Sequence, residues 1–189
     1  MSVIGTGYLG ATHAACMADL GHEVIGFDVD PDKVASLAAG TVPFHEPGLD
    51  EVLQRALASG RLRFTTAIAD VAAQADVHFI CVGTPQSIDS PAADMAQVNG
   101  AIALLAPHLD RPCLVVGKST VPVGTAQRLA DQLRSTSPAA VDVHLAWNPE
   151  FLREGHAVAD TVAPDRLVIG VTDPADAATL RQVYAPLLA

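Results

Sequence analysis

The chain has 189 residues, half of them hydrophobic, 17% charged and 4% aromatic, enough for one sizeable core or for one domain and the start of another. Eleven basic against twenty-one acidic residues leave a net charge of −10, which argues against a broad nucleic-acid surface, since phosphate neutralisation needs clustered Lys and Arg. No apolar run of about 18 residues points to a membrane span, and the Met1-Ser2-Val3-Ile4 start lacks the basic n-region of a signal peptide.

The first apolar run, Ser2–Gly5, reads as a strand that feeds Gly5-Thr6-Gly7-Tyr8-Leu9-Gly10. This fits G-x-G-x-x-G between a strand and a helix, the context that makes the pattern a dinucleotide fingerprint. Gly5 serves the tight turn, Gly7 the close approach of a pyrophosphate, and Gly10 the packing of helix on sheet. Tyr8–Leu20 reads as the helix, with Ala14 and Ala18 extending the small face of Gly10. Glu23–Asp28 reads as the second strand, closing on Asp28 at about the 20-residue spacing where an acid binds the adenosine ribose. An acid there also repels a 2′-phosphate, which favours NAD over NADP, and Lys33 lies close enough in sequence to flank the ribose. The alternative is a helix cap at Pro31, the stronger reading for Asp30 and the weaker one for Asp28.

Strands follow at Arg63–Thr65, Val77–Gly83, Pro112–Lys118, Val143–Trp147 and Arg166–Val171. Helical patterns fall at Pro31–Ala39, Gly48–Ser59, Ile68–Gln74, Met95–Leu105, Gly124–Arg134 and Pro174–Tyr184. This alternation implies an α/β, Rossmann-like doubly wound fold: a mostly parallel sheet with helices on both faces. The loosest segments are Gln86–Ala93 and Arg134–Ala140. Cys16, Cys81 and Cys113 lie in apolar segments, Cys16 in the first helix and the others in strands. They read as buried free thiols in a reducing cytoplasm. The histidines show no metal-ligand spacing, so no metal is expected; they read as surface or hydrogen-bonded core residues.

Open α/β sheets bind ligands outside the carboxyl ends of their strands, and here those ends are polar. Val77–Gly83 runs into Thr84-Pro85, and Pro112–Lys118 into Ser119-Thr120-Val121-Pro122. Thr84 and Thr120 therefore offer hydroxyls to a cofactor, whereas Thr125 reads as a helix cap. Val143–Trp147 runs into Asn148-Pro149-Glu150-Phe151-Leu152-Arg153-Glu154-Gly155. Its two carboxylates serve proton transfer at a site, or else form a loop clamp bridged by Arg153.

The segments GTGYLG, FDVD, FHEPGL, FICVGTP, KSTVPVGT, NPEFLREG and PDRLVIG, in this order and along essentially the whole chain, resemble the N-terminal domain of the UDP-glucose/GDP-mannose dehydrogenases. KSTVPVGT and NPEFLREG are the specific ones. Pro164-Asp165-Arg166 favours the UDP-glucose branch over GDP-mannose; a dehydrogenase for GDP-mannose or a UDP-N-acetyl-hexosamine is the alternative within the family. The resemblance implies NAD as cofactor, held by Gly5, Gly7, Tyr8, Leu9, Gly10, Asp28, Lys33, Thr84, Thr120 and Glu154. It implies oxidation of UDP-glucose to UDP-glucuronate in two NAD-linked steps, through a thioester on a cysteine. Glu150 would assist proton transfer and thioester hydrolysis, and Thr120 would help to hold the catalytic water. Glu150, Phe151, Leu152 and Arg153 would lie against the sugar nucleotide. His45-Glu46-Pro47 would lie near the cofactor, with no chemistry assigned.

No segment here matches the family's glycine-rich cysteine loop, its central dimerising helix or its uridine site, and Ser90-Pro91 stands where the family loop usually carries a glycine. The expectation is therefore an NAD-binding domain, residues 1–189, cut from a cytoplasmic homodimer. It should bind NAD without turning over substrate. The reading from another class is a non-catalytic NAD(H)-binding regulatory module.

Overall fold

The computed structural model describes residues 1–88, 90–138 and 142–188. In chain order the elements are β1 (Ser2–Ile4), α1 (Tyr8–Asp19), β2 (Val24–Phe27), α2 (Pro31–Ala38), α3 (Leu49–Ala58), β3 (Leu62–Thr65), α4 (Ile68–Gln74) and β4 (Val77–Ile80). Then come α5 (Ala96–Leu105), β5 (Cys113–Gly117), α6 (Thr125–Thr136), β6 (Val143–Trp147), α7 (Ala157–Val162) and α8 (Pro174–Val183). The six strands form one parallel sheet in the order β3-β2-β1-β4-β5-β6. That is the doubly wound order, and its direction reverses between β1 and β4.

The strands are nearly all buried because both sheet faces are covered. On one face Val3, Val24, Phe79, Leu114 and Val116 pack with α1 and α3. On the other Ile4, Ile25, Ile80 and Val115 pack with α4, α5 and α6. Registry aligns the strand ends: Thr65 opposite Phe27, Phe27 opposite Ile4, Ile4 opposite Ile80, Ile80 opposite Gly117, and Gly117 opposite Trp147. The residues that follow, Gly5, Asp28, Cys81, Lys118 and Asn148, thus emerge side by side on one edge. Among the described residues no helix is long and apolar enough to cross a membrane.

Several expectations need correction. Arg166–Val171 is not a strand; among the described residues its backbone pairs with the sheet through a single antiparallel bridge between Trp147 and Gly170, while Leu167, Ile169 and Val171 pack on the core. The ladder stops at this bridge because the next pairing in this register would need an N–H from Pro149, which has none; the Val168 carbonyl accepts instead from the Asn148 side chain at 2.8 Å. Helix α7 was not expected, its six residues being too few to show a period. Cys81 lies one residue past β4, still bonded to the Ile4 carbonyl at 2.8 Å. Thr125 is the first residue of α6 rather than its cap; Gly124, at φ +86°, occupies the cap position. Of the loose segments, Gln86 and Ala93 close on each other through a bridge, α6 extends through Thr136, and positions 89, 139 and 140 lie outside the described residues.

The core histidines are not all satisfied. His13 and His78 are buried, and each leaves Nε2 without a partner. Burial pushes His13 well below the usual imidazole value and His78 down to about 3. Both are therefore neutral, and His13 is held instead by edge-on packing against Phe79 at 4.7 Å.

Candidate functional site

At the switch point a cavity of about 670 Å³ opens over the β1–α1 turn, lined by Gly5, Gly7, Phe27, Asp28, Lys33 and Gly83 among others. The three glycines of the turn differ. Gly5 sits at φ +89°, a conformation that disfavours any side chain. A Cβ on Gly10 would lie 1.8 Å from the Gly5 carbonyl oxygen, so the helix packs there at contact distance. A Cβ on Gly7 would meet nothing within 4 Å. The space above Gly7 is open, as close approach of a ligand requires.

Asp28 is 6% exposed and held rigidly. Its Oδ2 accepts from the Thr6 N–H at 2.9 Å, the Thr6 hydroxyl at 3.0 Å and Lys33 Nζ at 3.0 Å. Its Oδ1 accepts from the Asp30 N–H at 3.2 Å. Burial alone would raise its pKa, but these donors and the Lys33 charge bring it below the usual carboxylate value. The ionised group keeps acceptor capacity on Oδ1, since each carboxylate oxygen offers about two lone pairs. Asp30 caps α2, accepting from the Asp32 and Lys33 amides. Thr6 escaped the sequence reading; its only signal was a hydroxyl between the first two glycines.

The other expected cofactor residues lie away from this cavity. Leu9 faces a second cavity near Lys118. The Tyr8 hydroxyl donates to Glu46, and burial together with Glu46 lifts its pKa to about 12. Thr84 donates its hydroxyl to the Thr120 carbonyl at 2.9 Å, tying the loops after β4 and β5 together, while Thr120 itself is exposed. Glu154 is exposed near Tyr8.

Glu46 is the residue whose part was missed. It is 5% exposed and accepts from Tyr8, from the Gly155 N–H at 2.9 Å, and from the Ala157 and Val158 N–H groups at 2.8 and 3.4 Å. Burial would raise its pKa, yet these donors hold it below the usual carboxylate value. It thereby binds the end of the 148–155 loop to α1 and to the start of α7.

The beginning of that loop is held as firmly. Asn148, 1% exposed, donates through its backbone to the Gly117 carbonyl at 2.8 Å. Its Oδ1 accepts from Lys118 Nζ at 3.0 Å and from the Tyr184 hydroxyl at 2.5 Å. Between these anchors Glu150 is half-buried and accepts from the Leu152 N–H at 2.5 Å. The loop clamp bridged by Arg153, the alternative reading of the two glutamates, is not formed. Arg153 instead makes a two-pronged pair with Asp160, at 3.0 and 2.6 Å, because α7 brings Asp160 within reach. Phe151 is 55% exposed, with the Arg166 guanidinium 5.5 Å over its ring.

The three thiols lack the setting of a nucleophilic cysteine. All three are free and buried, and burial lifts Cys16 and Cys81 to about 12 and Cys113 to about 11, far from the thiolate form that attacks. Among the described residues no group of three or more His, Cys, Asp or Glu is placed to hold a metal ion.

Comparison with known proteins gives a consistent picture. The model of the NAD binding domain of the UDP-glucose/GDP-mannose dehydrogenase family matches residues 1–188. A UDP-glucose 6-dehydrogenase of Rhizobium meliloti is 44% identical over 99% of this chain and 43% of its own length. One of Pseudomonas aeruginosa is 44% identical over 100% of this chain and 42% of its own. A solved UDP-glucose dehydrogenase from Pyrobaculum islandicum superposes with a TM-score of 0.92 at 44% identity, covering 97% of this chain and 43% of that one. A GDP-mannose dehydrogenase of Pseudomonas aeruginosa superposes at 0.91 with 36% identity, over 97% and 43%. The chain thus spans less than half the length of these relatives.

Proposed function

This chain belongs to the UDP-glucose/GDP-mannose dehydrogenase family, as its NAD-binding domain, and we propose that its carboxyl edge serves the two-step oxidation of UDP-glucose to UDP-glucuronate in a longer homodimeric protein. The observation that carries the cofactor half is Asp28: a buried, ionised, pre-oriented carboxylate at the rim of a cavity that is open above Gly7. Such a group accepts from ribose hydroxyls and repels a 2′-phosphate. Bound NAD would accept the hydride from the sugar C6.

The remaining roles are those the family resemblance implies, and the geometry is in keeping with them. Glu150 has one oxygen bonded to the Leu152 amide, which leaves acceptor capacity for a water, as a general base needs. Phe151, Leu152 and Arg153 line the neighbouring cavity with Glu150 and offer backbone to a sugar nucleotide. The exposed Thr120 offers its hydroxyl to water or cofactor, with Thr84 fixing its loop. Glu154 would meet NAD from the Tyr8 side, and Tyr8, Leu9 and Gly10 would form the turn that holds it. The thioester cysteine comes from outside these residues, since all three thiols here are buried and protonated.

Calorimetric titration of the chain with NAD, NADP and UDP-glucose tests this reading. NAD should bind, NADP weakly, and Asp28→Ala should lose about tenfold or more in NAD affinity, roughly 1.4 kcal/mol. A wild-type chain that binds no NAD would refute the cofactor reading.

A further inference from the structure

Among the described residues Lys118 is a buried lysine that no carboxylate pairs with. It follows β5, is 6% exposed, and among the described residues no acid lies within salt-bridge distance of it. Of its three N–H donors, one reaches Asn148 Oδ1 at 3.0 Å, an oxygen already shared with Tyr184. The rings of Phe79 and Tyr184 stand 5.9 and 6.0 Å away, which offsets only part of the cost of taking an ammonium out of water. Burial accordingly holds its pKa below the usual lysine value, against the pull of Cys81 and Glu150.

A cavity of about 240 Å³ lies against this lysine. Its walls carry Leu9, Leu152 and Leu167, and His13, whose Nε2 has no partner. The other charges on the wall are engaged or face water. Asp160 is paired with Arg153, Arg166 lies over Phe151, Asp165 is exposed, and half-buried Glu150 is bonded to the Leu152 amide.

We propose that this cavity is a carboxylate-binding site in which Lys118 supplies the counter-charge and Asn148 holds the ammonium in place. A single negative charge suits a single unpaired cation. A doubly charged phosphate would meet Glu150 and Asp165 on the same wall. The carboxylate has two sources: a free uronate, in keeping with the oxidation proposed above, or an Asp or Glu side chain presented by another polypeptide segment.

The chain offers a clean test, because Lys33 and Lys118 are its only lysines. In wild-type protein the two side-chain ammonium signals are followed by 1H–15N NMR during titration with sodium acetate, against sodium chloride at equal ionic strength. The Lys118 signal, identified with Lys118→Arg, should shift saturably with acetate, half-saturating in the millimolar range expected of so small a ligand, and not with chloride. Lys33 should respond equally to both salts. UDP-glucuronate effective at a tenfold or lower concentration than acetate identifies a uronate as the occupant; no advantage over acetate excludes a uronate and leaves the side-chain carboxylate. No saturable acetate shift at Lys118, or an equal one with chloride, overturns the site. The titration needs no NAD, so it stands or falls apart from the cofactor reading.

Discussion

Replacing Glu46 by alanine tests whether one buried carboxylate holds the site loop in place. Four donors converge on it: the Tyr8 hydroxyl and the amides of Gly155, Ala157 and Val158. A hydrogen bond to a charged group contributes about 1.5–3 kcal/mol, and these are not additive. Tyr8 and Gly155 are not fully buried, so water replaces part of what they lose. The net cost should be about 3–5 kcal/mol, which in a protein of this size lowers Tm by roughly 6–20 °C. Glu46→Gln, keeping shape without charge, should lose about half as much. Because the folded pKa of Glu46 is depressed, its contribution is fully present above the unfolded value of about 4.3. It is lost as pH falls through the lower folded value. Urea denaturation of wild type and variant should therefore show a constant gap between about pH 6 and 8 that closes in acid. Amides 155–158 should exchange faster in the variant. A gap under about 1 kcal/mol at neutral pH would refute the anchoring role.

Other outcomes follow from the same geometry. Gly7→Ala should fold like wild type, having free space for its methyl group, yet lose NAD affinity; Gly10→Ala should fail to fold or melt far lower, because its methyl group would strike the Gly5 carbonyl. Equal stability of the two variants by thermal denaturation would contradict this. Thr6→Val removes one donor from Asp28 and should weaken NAD five- to tenfold, about 1–1.4 kcal/mol. Asp28→Ser frees the Lys33 ammonium beside the ribose site and should reverse the preference toward NADP, an effect that Lys33→Met abolishes in calorimetry. His144 bonds Asp176 at 2.8 Å and Asp142 at 3.0 Å; burial lowers its pKa, but these acids raise it on balance. Its stabilising effect should be full below about pH 6.5 and vanish as pH rises through the higher folded value. The stability of wild type relative to His144→Gln should fall correspondingly above neutrality, and a flat difference would exclude the ion pairs.

Elements with long, consistent patterns were legible in the chain. The fingerprint turn, the alternation of strands and helices, and the Asp30 cap all rest on neighbours a few residues apart. What escaped depends on distant partners. Arg166–Val171 carries a strand composition, but its antiparallel register sets Val168 opposite Pro149, which has no N–H to continue a ladder, and the Asn148 side chain takes the Val168 carbonyl instead. Arg153 sits between two glutamates in sequence, yet α7 offers Asp160 in a better two-pronged geometry. Glu46 lies 109 residues from Gly155, and no local pattern announces that meeting. Lys118 looked like the polar end of a strand and is instead enclosed.

The acids of the carboxyl edge divide by what they are bonded to, and the division bears on function. Asp28 has an oxygen filled by three donors, Glu46 receives four, and Asp160 is bound by the Arg153 side chain and amide. These groups set backbone and turn geometry, and for Glu46 and Asp160 little acceptor capacity is left to serve a substrate. Glu150 has a single amide donor and is only half-buried, while Glu154 is exposed. In a chain this acidic, being a carboxylate near the cavity says little; having unspent lone pairs on a loop fixed at both ends says more. Asn148 fixes one end of that loop and Glu46 the other. Loosening either anchor should therefore disturb Glu150 without touching it, which makes Glu46→Gln and Asn148→Ala the variants in which loss of site function ought to outrun loss of fold.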